Sequence, residues 1–214
     1  MRRRLLLLGP PGGGKGTHAE RLAREVGVPH VAVGDMLRRE VAAGTERGRQ
    51  AQAFMDAGQL VPDDLVVEAA VDRLSQPDAA DGWILDGFPR TLHQARILSD
   101  RVQNPGLDLV LVLEVPDEEV FDRISGRRSC PRGHVYHVER NPPQIPGICD
   151  EDGEPLHQRE DAAPEVIRRR LEIYKDETRP VLDFYEQQGL LRRVTGLGTP
   201  AEVHARVVAA LRDV

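Results

Sequence analysis

Four leucines at 5–8 make the first apolar run, and the run stops at Gly9. Short, continuous and closed by a turn residue, it predicts a buried strand beginning at Arg4. Beyond a glycine-rich stretch, Ala19, Leu22, Ala23 and Val26 return at helical spacing and predict a helix. The same exchange of periods runs on to the end of the chain. Residues 29–33 read as a second strand, and residues 34–41 and 46–57 as helices, the latter stopped by Gly58. A helix follows Pro62, with Asp63 and Asp64 near its start. Residues 82–86 predict a strand, 91–102 a helix, 107–115 a strongly apolar strand and 117–126 a helix. From 164 to 188 a single long helix is expected, its stripe formed by Ile167, Leu171, Tyr174, Val181, Leu182 and Tyr185, with a kink at Pro180. Residues 190–194 close the strands and 200–212 the helices. Strands alternating with helices predict an α/β fold, a parallel sheet with helices on both faces.

Two stretches depart from that alternation. Residues 32–61 hold more helix than a crossover between parallel strands requires, so an insertion standing off the core is expected there. Residues 129–161 are rich in Pro, Gly, His and charge and poor in large apolar side chains, so they cannot hold much of a core.

The first loop carries the chemistry. Gly9 to Thr17 reads G-P-P-G-G-G-K-G-T, a variant of G-x-x-x-x-G-K-[ST] in which Gly16 separates the lysine from the threonine. Strand, glycine loop and helix together turn such a pattern into a phosphate site. The loop's N–H groups can point inward at anionic oxygens, and the helix N-terminus adds partial positive charge. Lys15 is placed to reach the outer phosphates, and Thr17 to meet Mg²⁺. The chain has two lysines, Lys15 and Lys175, and otherwise writes its positive charge as arginine. A lysine spared from that bias marks a need for a compact point charge. Asp86 ends its strand at the edge where open parallel sheets bind ligands, and a carboxylate there suits the Mg²⁺ water shell.

Composition narrows the class. At 214 residues the chain suits one core with small attached parts. A net charge of −6 argues against a nucleic-acid partner. Arg2, Arg3 and Arg4 before the leucines suggest a leader, but the apolar run ends sooner than such a segment requires. No stretch is long enough to span a membrane. Two cysteines without an export signal imply a reducing compartment, hence the cytoplasm.

By residues 86–91 the pattern is specific enough to name a family. The glycine loop, G-D-M-L-R at 34–38, D-G-F-P-R-T at 86–91, G-R-R at 126–128, V-Y-H at 135–137 with N-P-P at 141–143, and the Arg159 and Arg170 regions follow one another in family order. Over nearly its whole length the chain resembles adenylate kinase of the long-lid bacterial type. The resemblance implies a P-loop NTPase-like fold, Mg²⁺-dependent transfer from ATP to AMP giving two ADP, a role in adenine nucleotide homeostasis, and a monomer. It implies a core at 1–31, 62–125 and 163–214, an AMP-binding arm at 32–61 and a lid at 126–162. It places Gly12, Gly13, Gly14, Lys15, Gly16 and Thr17 on the ATP phosphates, and Arg127 with them. Arg123, Val135, Tyr136 and Gly198 would lie by the ATP base. Arg38, Arg90, Arg159 and Arg170 would hold the AMP phosphate or the transferring group. Val33, Gln59, Leu60, Val61, Gly87, Phe88 and Pro89 would line the AMP pocket, and Gln94 would read its base.

Two departures stand out. Val33 replaces the threonine usual beside the AMP base, which removes a hydroxyl and puts base discrimination in question. His18 replaces a more usual glutamine. Long lids of this family often hold zinc through C-x-x-C followed later by C-x-x-[CD]. Here Cys149 and Asp152 fit the second half, while the first lacks a cysteine and leaves His134 to stand in for it beside Cys130. Two sulfurs, a nitrogen and an oxygen are acceptable zinc ligands. His137 and His157 are rival ligands, and a metal-free lid closed by hydrogen bonds is the alternative. Other readings are a kinase for UMP, CMP or GMP, a nucleotide-binding regulatory module, and a zinc-knuckle RNA binder. The acid charge and the scarcity of aromatics disfavour the last.

Overall fold

The computed structural model describes residues 4–102 and 106–212. Arg2 and Arg3, part of the leader considered above, lie outside the described residues. Seven strands are present among the described residues: β1 Arg4–Leu8, β2 His30–Ala32, β3 Trp83–Asp86, β4 Leu109–Glu114, β5 Arg127–Ser129, β6 Val135–His137 and β7 Leu191–Thr195. Five of them form a parallel sheet in the order β2-β3-β1-β4-β7, and β5 pairs antiparallel with β6 in a separate hairpin. The helices are α1 Lys15–Val26, α2 Val33–Ala42, α3 Glu46–Asp56, α4 Asp63–Leu74, α5 Leu92–Arg101, α6 Asp117–Ser125, α7 Pro164–Ile173, α8 Arg179–Glu186 and α9 Pro200–Arg212.

The leucine run shows why the sheet is covered twice. Successive strand residues point to opposite faces. Leu5 and Leu7 join Ala19, Leu22 and Val26 of α1 and Val203 and Val207 of α9 in one apolar cluster. Leu6 and Leu8 join Leu85, Phe88, Leu98, Val181 and Tyr185 in another, on the opposite face. A strand buried on both faces has no use for a polar alternate, so it reads as a continuous apolar run.

The expected strand at 29–33 is shorter, and Val33 is the first residue of α2. Ala32 is the last residue paired with β3, opposite Asp86. Beyond Asp86 the neighbouring chain turns at Gly87, where φ is 71°. Val33 therefore has no strand to pair with, and the chain enters a helix instead. Helices α2 and α3 form the extra segment between β2 and α4. Their apolar side is not separate from the core: Val33, Leu37, Ala51 and Val61 belong to the cluster beneath β1 and β3.

The long helix expected at 164–188 is divided by a π-helical turn at Tyr174–Thr178. Proline has no N–H for the ladder, and its ring presses on the carbonyl four residues back. Widening the turn ahead of Pro180 accommodates both, so the interruption falls a few residues before the proline. The segment after α6 has the meagre core its composition implies: Cys130, Tyr136 and Cys149, with Leu156 packed against them. Single antiparallel bridges at Ser129–His157, His137–Asn141 and Ile148–Pro155 complete it.

Candidate active site

The chain leaves β1 towards β2 on one side, and returns on the other side of β1 as β4. Crevices at such reversals, outside the carboxyl ends of the strands, are where open α/β sheets bind ligands. The glycine loop sits there. Gly12 has φ of 69°, and a Cβ on it would lie 2.6 Å from Ile124 Cγ1. Gly14, the N-cap of α1, has φ of 88°. Both positions need the left-handed backbone that glycine adopts freely. Lys15 folds back across the loop, its Nζ donating to Gly9 O at 3.0 Å and Pro10 O at 2.7 Å. Desolvation pulls its pKa down to about 8; Asp86 opposes this, and Arg90, Arg170 and Arg127 add to it.

Asp86 lies opposite Leu7 in the sheet register. Its Oδ2 is 3.5 Å from where a Cβ on Gly16 would stand, and 3.3 Å from His30 Nε2. A Cβ at Gly16 would only touch the carboxylate at ordinary contact distance, so the loop and Asp86 lie directly against each other there. Carboxylate, threonine and phosphate loop are a donor set suited to a hydrated Mg²⁺, with all-oxygen ligation.

Arginines fill the other side of the crevice. Asp161 accepts from Arg159 Nη2 at 2.7 Å and Arg170 Nη1 at 2.6 Å, and lies 3.4 Å from Arg127 Nη2. Burial pushes the Asp161 carboxyl up, but Arg170, Arg159 and Arg127 together hold it below its ordinary value. Arg90 donates from Nε to Gly87 O at 2.7 Å. Burial, then the Arg170 and Arg38 charges, lower Arg90 to about 10. Burial and Arg159 do the same to Arg127, also to about 10. Arg38 pairs with Asp35, and both its guanidinium and that of Arg90 approach Gly34. Among the described residues, Asp35, Asp86 and Asp161 are the carboxylates acting on the cluster of Lys15, Arg38, Arg90, Arg127, Arg159 and Arg170. So many cations crowded together with so few carboxylates are suited to multiply charged anions.

The remaining expected residues are placed as follows. Arg123 joins the loop to the far end of the chain, with Nη2 donating to Gly196 O at 2.8 Å and Nη1 4.0 Å from where a Cβ on Gly14 would stand. Gly198 is exposed in that same β7–α9 connection. Val135 is 53% exposed, whereas Tyr136 is buried in the small core of its hairpin. The Tyr136 hydroxyl accepts from Asp150 N at 2.8 Å and lies 3.6 Å from Cys149 Sγ. Gln59 is exposed after α3, while Val33, Val61 and Phe88 are buried. Phe88 precedes Pro89 through a cis peptide bond. Gln94 is 1% exposed; its Oε1 accepts from Arg90 N and its Nε2 donates to Asp63 Oδ1, both at 2.7 Å.

Sequence reasoning missed four groups here. Asp161 looks like one more surface acid in a charged stretch. His30 and Asp63 declare themselves only through their partners. Thr178, buried, donates its hydroxyl to Arg90 O at 3.0 Å, a reach set by the π turn. None carries a spacing signal.

Away from the crevice, one ligand atom each of Cys130, His134, Cys149 and Asp152 lies within 4.8 Å of all the others. His134 Nδ1 is 3.3 Å from each sulfur and 3.0 Å from Asp152 Oδ2, and Cys130 Sγ is 3.4 Å from that oxygen. A tetrahedral zinc would set sulfur-to-nitrogen and sulfur-to-oxygen edges of about 3.5 Å. The residues fit the ion. His137 is committed elsewhere, its Nδ1 accepting from Glu139 N and Arg140 N at 3.2 Å. His157 is not part of the cluster.

Fold and crevice together define a P-loop nucleotide-binding protein whose crevice is lined on its other side by arginines. The adenylate kinase family profile matches residues 7–190. An adenylate kinase of Streptomyces griseus is 48% identical over 213 residues, covering 98% of this chain and 97% of its own. One from Anaeromyxobacter dehalogenans is 52% identical over 204 residues, covering 94% and 95%. One from Methanothrix thermoacetophila is 48% identical over 198 residues, covering 91% of each. The chain belongs to the adenylate kinase family.

Proposed function

We propose that this chain catalyses reversible transfer of a phosphoryl group from ATP to AMP, giving two ADP. The observation that carries this reading is the arginine surplus facing the glycine loop, more positive charge than one triphosphate needs. Transfer between two nucleotides brings many negative charges together and needs no protein nucleophile, so positioning and charge neutralisation suffice. Residues 12–17 would wrap the ATP phosphates, with Lys15 and Arg127 on the outer ones. Arg38 and Arg90 would seat the AMP phosphate, and Arg159 and Arg170 would bridge to the transferring group. Asp86 and Thr17 would hold the shell of Mg²⁺, which supplies charge neutralisation on the phosphates. Arg123, Val135, the backbone at Tyr136 and Gly198 would meet the ATP base. Val33, Gln59, Leu60, Val61, Gly87, Phe88 and Pro89 would form the AMP pocket, with Gln94 reading its base.

The parts divide accordingly into a core at 1–31, 62–125 and 163–214, an AMP arm at 32–61 and a lid at 126–162. A lid serves the reaction by keeping out water, a competing acceptor. Among the described residues no helix is long and apolar enough to cross a membrane. A cytoplasmic location, on the cysteine usage, and a monomer, on the family resemblance, are part of the reading, and sedimentation of the purified chain tests the second.

ADP formation from ATP with AMP, GMP, CMP or UMP, with and without Mg²⁺, is the direct test. Fast, Mg²⁺-dependent turnover with AMP alone is expected. ATP binding without transfer to any monophosphate would instead support a regulatory module.

The lid cluster is proposed to hold one structural zinc through Cys130, His134, Cys149 and Asp152. Metal analysis of the purified protein is expected to find one zinc per chain. Cys149→Ser should lower the thermal midpoint of the lid by on the order of 5 °C, with a smaller loss of activity at room temperature. An unchanged midpoint would count against a structural metal.

A further inference from the structure

Gln94 is held from both sides, and the polarity of every bond around it is determined. The backbone N–H of Arg90 can only donate, so the Gln94 atom 2.7 Å away must be its oxygen. The other side faces Asp63, whose Oδ1 is 2.7 Å from Gln94 Nε2. Thr91 closes the ring of contacts. Its Oγ1 accepts from Gln94 N at 3.2 Å, so its own proton is directed to Asp63 Oδ2 at 2.9 Å. Both carboxylate oxygens of Asp63 therefore accept, as an ionised carboxylate must. Turning the amide over would set Nε2 against the Arg90 N–H and Oε1 against the Asp63 carboxylate. Both contacts are repulsive, and Gln94 is 1% exposed, so water cannot relieve them.

We propose that Asp63 is a positioning residue that sets the purine preference of the acceptor site, by locking the Gln94 amide in one orientation. The inference rests on the reading above in which Gln94 meets the base of the monophosphate. Locked, the amide has one N–H and one oxygen lone pair left over, in a fixed order. Adenine shows a 6-amino donor beside an N1 acceptor. A 6-oxopurine shows the reverse, an O6 acceptor beside an N1–H donor. An amide free to turn over matches either edge; an amide that cannot turn matches one. Val33 sharpens the dependence, since it brings no hydroxyl to the pocket to share the discrimination. A site that bonds the right edge leaves buried polar groups unpaired with the wrong one, which is where strong discrimination comes from.

The test compares AMP with inosine monophosphate, which differs from AMP only along this edge. Asp63→Leu removes the acceptor. Asp63→Asn keeps an oxygen for Gln94 Nε2. Both remove the carboxylate charge from the first turn of α4, so any effect through that helix is shared between them. Asp63→Leu is expected to lower the AMP-to-IMP ratio of kcat/KM about tenfold, the effect of losing a hydrogen bond to a charged group. The change should enter through the monophosphate KM, with the ATP KM unaltered. Asp63→Asn should stay within about threefold of the unmodified protein, since an acceptor oxygen remains. Should Asp63→Leu fail to fold, Asp63→Ser, too short to reach Gln94, takes its place. An unchanged ratio in Asp63→Leu or Asp63→Ser overturns the lock. Gln94→Ala separates the two layers: an unchanged ratio there removes the base-reading role and the lock with it. A collapsed ratio in Gln94→Ala beside a normal one in Asp63→Leu removes the lock alone.

Discussion

Lys15→Met is expected to lower turnover by at least about a thousandfold while leaving the fold intact, the scale seen when a preorganised charge on a transferring group is lost. The two halves of that expectation come from one feature. Lys15 is the point charge of the loop, bonded to Gly9 O and Pro10 O. Its charge is also held at a cost, shown by a pKa drawn down to about 8 chiefly by desolvation. Met is unbranched like Lys, one atom shorter, and carries no charge, so it avoids that cost. Steady-state ADP formation should therefore fall while the thermal midpoint holds or rises. Near-normal turnover would refute the role given to Lys15.

Arg90→Ala should be nearly as damaging, roughly 10²–10³-fold in kcat/KM for AMP, on the scale of losing one positioned donor to developing charge. Arg90 is fixed by its own Nε bond to Gly87 O and by Thr178 on its carbonyl, so its terminal nitrogens are aimed without any ligand present. Arg90→Lys should rescue little of the activity, because an ammonium has no planar fork. Stability should move the other way. Arg90 is buried against the charges of Arg170 and Arg38, so its removal relieves repulsion. A variant that loses activity and melts earlier by the same measure would point to a structural role instead.

The sequence displayed what depends on local pattern. The leucine run, the left-handed glycines and the lysine after them announce strand, loop and helix, because each requirement acts within a few residues. Arg38 and Arg90 were legible as candidates only through the motifs around them, since an isolated arginine is usually a solvated charge. Partners distant in the chain were hidden. Asp161 gathers Arg127, Arg159 and Arg170, and Asp63 reaches Gln94 across 31 positions. Nothing in the sequence near either aspartate distinguishes it from an exposed acid. The π turn was hidden for another reason. Pro180 signals a break, but where the helix yields depends on what the preceding turn packs against, here Thr178 on the backbone of Arg90. The start of α2 was misplaced because the length of β2 is set by its neighbour, which turns away after Asp86.

The lowered Lys15 ammonium ties nucleotide capture to the proton balance of the solution. With its pKa near 8, a fraction of free enzyme carries a neutral amine in mildly alkaline buffer. Phosphate oxygens arriving beside it favour the charged form and draw a proton in. Binding should then take up protons around pH 8, and titration calorimetry in buffers of different ionisation enthalpy would report the uptake as a buffer-dependent heat. Affinity for the triphosphate should fall as pH rises through that value, while below about pH 7 the Lys15 proton is already in place and its share of the uptake vanishes, leaving only the proton exchange of the phosphates themselves.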